Sequence, residues 1–133
     1  MYWPGPFPNW YEGHAASGLT QTGTRWVVAE GEHGGPLGFE TFLLVVNPSE
    51  QAAEVYVTVL RENGPPVGHL VTVGPNSRAT IPSSAFGLGY WEPFGADVES
   101  LNGVAVVVER SMYWNGAGLR WGGGTSETAT RIR

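Results

Sequence analysis

The side chains best equipped for chemistry stand in Glu30-Gly31-Glu32-His33, where two carboxylates and an imidazole crowd one short stretch. Oxygen and nitrogen ligands of this kind can hold a divalent cation. No Asp-rich loop accompanies them, and His14 and His69 are isolated, so a solvated turn is the expectation and no metal site is assigned. His69 alternates between Val67 and Val71 and reads as a structural histidine. Glu30 and Glu40 are conceivable as the acid and base of a hydrolase. Glu30, Glu40 and Glu109 all flank apolar strand positions, however, and pairing with Arg25 or Arg110 is the expectation, because a buried carboxylate needs a partner. A Ser/His/Asp triad would have to use Asp97, the sole aspartate, and no Gly-x-Ser-x-Gly elbow is present. Gly122-Gly123-Gly124-Thr125 lacks the lysine of a phosphate loop. The sequence therefore assigns no catalytic residue and no cofactor.

The aromatics are the other conspicuous group. Trp3, Trp10, Tyr11, Tyr90, Trp91, Tyr113, Trp114 and Trp121 are many for 133 residues. Such rings stack on sugars or anchor protein interfaces. Their spacing favours the interface, because Met1-Tyr2-Trp3-x-Gly5 recurs as Met112-Tyr113-Trp114-x-Gly116, an offset of 111 residues. At the same offset Trp10 matches Trp121 and Gly13 matches Gly124, and the chain contains only two methionines. The repeating unit is thus 111 residues long. Residues 112–133 are equivalent to residues 1–22, residues 1–24 read as the closing segment of a preceding repeat plus a linker, and residues 25–133 read as the unit itself. The expected inter-unit interface is Met1, Tyr2, Trp3, Trp10, Met112, Tyr113, Trp114 and Trp121, with residues 112–133 reaching toward the next copy. Tyr90 and Trp91 lie outside the duplicated segment and are the candidates for contact with a ligand such as a polysaccharide.

The elements that must position these residues are strands. The chain is rich in Gly, Pro, Val and Trp and poor in runs of helix formers. Arg25 to Glu30 reads as a strand, Gly31 to Gly38 as a loop, and Phe39 to Asn47 as a central strand buried on both faces. Glu54 to Arg61 alternates cleanly, and turns at Asn63-Gly64-Pro65-Pro66 and Gly74-Pro75-Asn76 predict a meander with Val67 to Val73 and Arg78 to Pro82. Residues 83 to 95 read as a long connection, Ala96 to Leu101 as a short edge strand, and Val104 to Tyr113 as the longest strand. This spacing predicts an all-β, antiparallel, immunoglobulin-like sandwich of about seven to eight strands, with Leu43, Val57 and Val106 in its core.

Composition excludes several partners. The seven basic residues are all arginine and scattered, so there is no nucleic-acid patch, and the net charge is −5. Without lysine an isopeptide crosslink cannot form, and without cysteine there are no disulfides or thiolate metal sites. No apolar run approaches the roughly 18 to 20 residues a membrane helix needs, so no membrane insertion is expected. The opening residues do not read as an export signal, which would lie upstream of this segment.

Phased by its repeat, the unit runs Trp26-Val27-Val28-Ala29-Glu30-Gly31, then Phe39-Glu40-Thr41-Phe42-Leu43-Leu44 with Asn47-Pro48, then Pro75-Asn76-Ser77-Arg78, then Glu109-Arg110-Ser111-Met112-Tyr113-Trp114. These blocks, in this order, resemble an uncharacterised tandem β-sandwich repeat of long secreted and surface proteins of bacteria. The stretch from Gly89 to Phe94 is enlarged relative to that pattern. The resemblance implies an extracellular or cell-surface structural module whose partners are neighbouring copies, in a covalent array or a homopolymer. It supplies no catalytic or ligand-binding residues to carry over.

Overall fold

The computed structural model describes residues 2–4 and 10–133, with side chains from Gly13 onward. Eleven strands are present among the described residues: β1 (Tyr2–Pro4), β2 (Trp10–Gly13), β3 (Arg25–Gly34), β4 (Glu40–Asn47), β5 (Ala53–Arg61), β6 (Val67–Val73), β7 (Ser77–Pro82), β8 (Trp91–Ser100), β9 (Val107–Gly116), β10 (Leu119–Thr128) and β11 (Thr130–Arg131). They form a two-stranded hairpin β1-β2, a four-stranded sheet in the order β10-β9-β4-β7, and a five-stranded sheet in the order β11-β3-β8-β5-β6. Every pairing is antiparallel. The two larger sheets face each other as the expected sandwich, and the strand number exceeds seven to eight because the chain continues through β10 into the short β11.

Alternation explains the core. In β5 the side chains of Val55, Val57 and Val59 are fully enclosed while Glu54 and Tyr56 face solvent. Leu43, Val45 and Val108 of the opposite sheet join them in the core, with Val106 just before β9 and with Trp26, Phe94 and Val98 of their own sheet. Leu43, Val57 and Val106 are core residues as expected. The buried Asn47 ends β4 by offering its amide nitrogen to the carbonyls of Gln51, Val73 and Gly74 and accepting the N–H of Ser49 at 3.0 Å. Every polar group of this side chain is thereby matched in a region water does not reach.

Several sequence expectations are corrected. β3 continues through the presumed loop to Gly34, because a bulge between Val28 and Gly31 lets it resume pairing with β8 at Gly31↔Phe94. A side chain on Gly31 would collide with the Phe94 ring, its Cβ falling 2.7 Å away. The meander stops at β6: the turn through Asn76, at φ 48°, carries the chain across to the other sheet, where β7 pairs with β4. Residues 83–95 hold a 3-10 turn (Ser83–Phe86) and then the first half of β8, a ten-residue central strand between β3 and β5 rather than a short edge strand. Pro93 is tolerated there because β5 has already ended at the pair Arg61↔Phe94, leaving β8 a neighbour on one side only. The longest strand candidate begins later, at Val107, while Val106 makes an isolated bridge to Gly23. β4 is central in its sheet but buried on one face only, with Phe42 and Leu44 half-buried and Val46 exposed.

Candidate functional site: the outer face of the four-stranded sheet

The open side of β4 and β9 carries the apolar surface. Inward positions of β9 hold Val108, Arg110 and Met112, so Val107, Ser111 and Tyr113 face out. Outward residues of β4, Phe42 and Leu44, lie beside them in register, with Phe42 opposite Ser111 and Leu44 opposite Glu109. On the other flank Leu44 pairs with Thr80 and Val46 with Arg78 of β7. Phe42, Leu44, Arg78, Thr80, Ser111 and Tyr113, together with Arg120 and Trp121, line an open groove of about 530 Å³.

Three rings form its floor at one end. Phe42 meets Tyr113 edge-on at 5.9 Å and Trp121 edge-on at 5.9 Å, and Tyr113 and Trp121 are 5.5 Å apart. The Arg120 guanidinium lies 4.7 Å from the centre of the Trp121 ring, a cation–π distance. Trp121 has φ 54°, a left-handed conformation that costs energy in a bulky residue. It lies within the register shift between the pairs Leu119↔Gly116 and Gly123↔Trp114, and Asn115 Oδ1 accepts the Trp121 N–H at 3.1 Å. The following glycines permit the close approach of the two strands: a Cβ on Gly122 would sit 2.2 Å from the Gly116 carbonyl oxygen, and one on Gly123 would sit 2.4 Å from the Trp114 indole.

Arg78 and Arg120 flank the groove. Arg120 approaches Glu40 only at 4.0 Å, and among the described residues Arg78 makes no ion pair. The other arginines are engaged. Arg25 donates to Asp97 and its charge is thereby favoured, holding its pKa above the ordinary value. Arg110 reaches Glu30 and Glu127, and Arg133 reaches Glu99. The expected pairing of Glu30 with Arg110 is present, whereas Glu40 faces Arg120.

The duplicated segments share two strand pairs among the described residues. In β1-β2, Tyr2 pairs with Gly13 and Trp3 with Glu12. In β9-β10, Tyr113 pairs with Gly124 and Trp114 with Gly123, the same register at the 111-residue offset. Each hairpin also departs from regular register near its tryptophan, at Trp3/Pro4 and between Leu119 and Gly123. β2 lies alongside β10. His14, just after β2, shares a 2.5 Å hydrogen bond with Ser126 and packs edge-on against Tyr113 at 5.9 Å. The first hairpin therefore sits at the β10 side of the sheet that carries the groove.

The predicted interface residues are distributed as follows. Tyr113 and Trp121 belong to the groove. Trp114 packs on Phe39 at 5.6 Å, and Met112 is buried inside the sandwich. Met1 and the side chains of Tyr2, Trp3 and Trp10 lie outside the described residues. Residues 112–133 do not reach away: β10 folds back on β9, β11 pairs with β3, and the Arg133 carbonyl accepts the Thr24 N–H at 2.8 Å. Tyr90 and Trp91 stand apart from the groove and are 78% and 60% exposed. The Trp91 indole donates to Glu32, and its ring covers Gly35. Glu30, Glu32 and His33 diverge, to Arg110, Trp91 and Ser83 respectively, and no cluster of potential metal ligands occurs among the described residues. His69 packs edge-on against Phe86 at 5.7 Å. Sequence reasoning missed Phe42, Leu44, Arg78, Thr80 and Arg120, since an unbroken apolar run in β4 gives no polar contrast to mark its open face.

The fold and its surface define an antiparallel β-sandwich with an aromatic hairpin at one edge. Neither a protein-family model nor a curated protein matches the chain. Among solved structures it is similar to Thermotoga maritima 1070, with a TM-score of 0.70 and 21% identity over 82% of this chain and 94% of that one. It is also similar to the Anabaena sensory rhodopsin transducer, with a TM-score of 0.57 and 23% identity over 70% of this chain and 99% of that one. Likeness at these identities shows the fold alone. No helix among the described residues is long and apolar enough to cross a membrane.

Proposed function

We propose that the chain is a structural, non-catalytic repeat module of an extracellular or cell-surface protein, packing against copies of itself in a tandem array, stalk or filament. One observation carries the reading: at the 111-residue offset the two segments share two strand pairs, Tyr2↔Gly13 with Tyr113↔Gly124 and Trp3↔Glu12 with Trp114↔Gly123, although only one of the segments completes the sandwich. A second copy of a closing hairpin is what the end of a preceding unit contributes. The location comes from the family resemblance.

A two-unit chain tests it. Residue 133 is equivalent to Thr22, so joining Arg133 directly to residues 23–133 of a second copy restores the period. The expected product has two folded sandwiches, with the second stabilised by contact with the first. A second unit that fails to fold, or that melts independently of its neighbour, overturns the reading.

The exposed pair Tyr90 and Trp91 favours a second function, as a carbohydrate-binding or adhesive module, because an indole pinned by Glu32 is an ordered platform for a sugar ring. Pull-down on insoluble polysaccharides distinguishes the two: the adhesive reading requires binding that Trp91→Ala abolishes.

A further inference from the structure

Three asparagines in this chain precede a glycine, in Asn63-Gly64, Asn102-Gly103 and Asn115-Gly116. Asparagine is chemically labile, and most so before glycine, where no Cβ obstructs attack of the next backbone nitrogen on the side-chain amide. That attack needs a side chain free to swing onto the nitrogen and a backbone free to bend with it. The fold grants these freedoms unequally.

Asn102 is tied down although it is exposed. Its Oδ1 accepts the Glu54 N–H and the Ser100 hydroxyl, each at 3.2 Å, and its Nδ2 donates to the Ala52 carbonyl at 2.8 Å. Asn115 lies within β9, where its N–H donates to the Leu37 carbonyl at 2.8 Å, its Oδ1 accepts the Trp121 N–H and Gly116 pairs with Leu119. Asn63 has no such restraint. It is exposed in the bend between β5 and β6, residues 62–64 belong to no strand, and its side chain makes no hydrogen bond among the described residues. The Arg61 guanidinium borders this bend, since a Cβ on Gly64 would lie 3.2 Å from its Cζ and Nη1. Negative charge formed here therefore meets a cation as well as the neighbouring Glu62.

We propose that Asn63-Gly64 is a self-modifying site, at which the folded chain converts Asn63 to isoaspartate and aspartate while Asn102 and Asn115 persist. The Gly64 nitrogen gives its proton to solvent base and bonds to Cγ of Asn63. The side-chain nitrogen takes up a proton and leaves as ammonia, which closes a cyclic imide. Water then opens the imide at either carbonyl. Attack at Cγ restores the backbone and leaves aspartate, whereas attack at the main-chain carbonyl reroutes the backbone through Cβ and leaves isoaspartate. One ammonia is exchanged for one water, and the chain gains one negative charge beside Arg61. The site is independent of the repeat-module reading.

Cleavage at arginine separates the three asparagines, placing Asn63 in residues 62–78, Asn102 in residues 79–110 and Asn115 in residues 111–120. The full folded chain is held at mildly alkaline pH, then digested at intervals under mildly acidic conditions for mass spectrometry with fragmentation. Residue 63 should gain one mass unit and give two chromatographically distinct products. Asn102 and Asn115 should react at least about tenfold more slowly, because their hydrogen bonds must open first. In urea all three should react at similar rates, which assigns the difference to the fold. Asn63→Gln should leave residue 63 unmodified over the same period, because its longer side chain closes the ring far more slowly. An Asn63 that persists in the folded chain, or an Asn102 or Asn115 that matches its rate, overturns the proposal. Selectivity that survives unchanged in urea overturns it too, because the fold would then have no part in the choice.

Discussion

Arg61 grips Glu92 with both arms of its guanidinium, Nε to Oε1 and Nη2 to Oε2 at 3.1 Å. Glu92 points inward from β8 and also accepts the Gly89 N–H at 2.9 Å. The bonds from Arg61 and then from Gly89 hold its carboxyl below the usual range, while the same pairing holds the Arg61 pKa above its ordinary value. A carboxylate whose folded pKa is depressed contributes stability that is complete above its unfolded pKa and disappears as pH falls through the folded one. Urea denaturation from neutral to acid pH should therefore show a steeper acid loss in the native protein than in Glu92→Gln. Parallel acid limbs would mean that the pair does not couple to folding.

Leu43 lies on the inner face of β4 and is 1% exposed between the two sheets. Leu43→Ala removes three carbons from a closed core and should cost about 2 to 5 kcal/mol. Leu44→Ala, one residue on but facing the groove, should cost much less. Equilibrium unfolding of the two variants reads the difference directly.

This neighbouring pair shows where the sequence was legible. Clean alternation in Val55, Val57 and Val59 identified β5 and its buried face, and the two Met-Tyr-Trp motifs identified the duplicated segments but not that each folds back on itself. In Phe42-Leu43-Leu44-Val45-Val46 both faces are apolar, so polarity carries no record that one of them is open. β8 was hidden for another reason, since Pro93 and Gly95 look like turn residues. Gly95 is favoured there because a Cβ would lie a tight 3.1 Å from the Val28 carbonyl oxygen, and Pro93 sits where the neighbouring strand has ended. Both are tertiary constraints. The groove combines residues of β4, β7, β9 and β10, and no local pattern announces that meeting.

Arg110 is 2% exposed, yet its carboxylate partners Glu30 and Glu127 are 68% and 64% exposed. Its Nε and Nη1 have no hydrogen-bond partner among the described residues. A buried cation matched mainly by solvent-facing carboxylates recovers little of its desolvation cost. Arg110→Met, similar in length and uncharged, should leave stability unchanged or raise it by about 1 to 2 kcal/mol. Arg110→Ala opens a cavity at the same place and should cost about 2 to 4 kcal/mol. Thermal and urea unfolding of both variants test the contrast, and a large loss in the methionine variant would show that the charge itself holds β9 against β3 and β10.

Trp121 brings energetics and function to one residue. Its φ of 54° places the backbone where a Cβ is penalised, and its ring is held over the groove by Phe42, Tyr113 and Arg120. Truncating the ring removes those contacts whichever small residue replaces it. The replacements then differ in backbone preference alone. In an ordinary strand glycine is worse than alanine by roughly 0.5 to 1 kcal/mol. At this position the order should invert, because alanine retains the left-handed penalty of about 1 to 2 kcal/mol and glycine does not. Trp121→Gly should therefore be more stable than Trp121→Ala, although both fall below the native protein. Urea midpoints measured side by side decide the matter. Alanine equal to or better than glycine would mean that the backbone relaxes once the ring is gone, so that the contacts with Phe42 and Tyr113 pull the residue into its conformation. Glycine ahead of alanine would locate the constraint in the β9-β10 bulge, which then presents the ring to the groove whether or not a partner is bound.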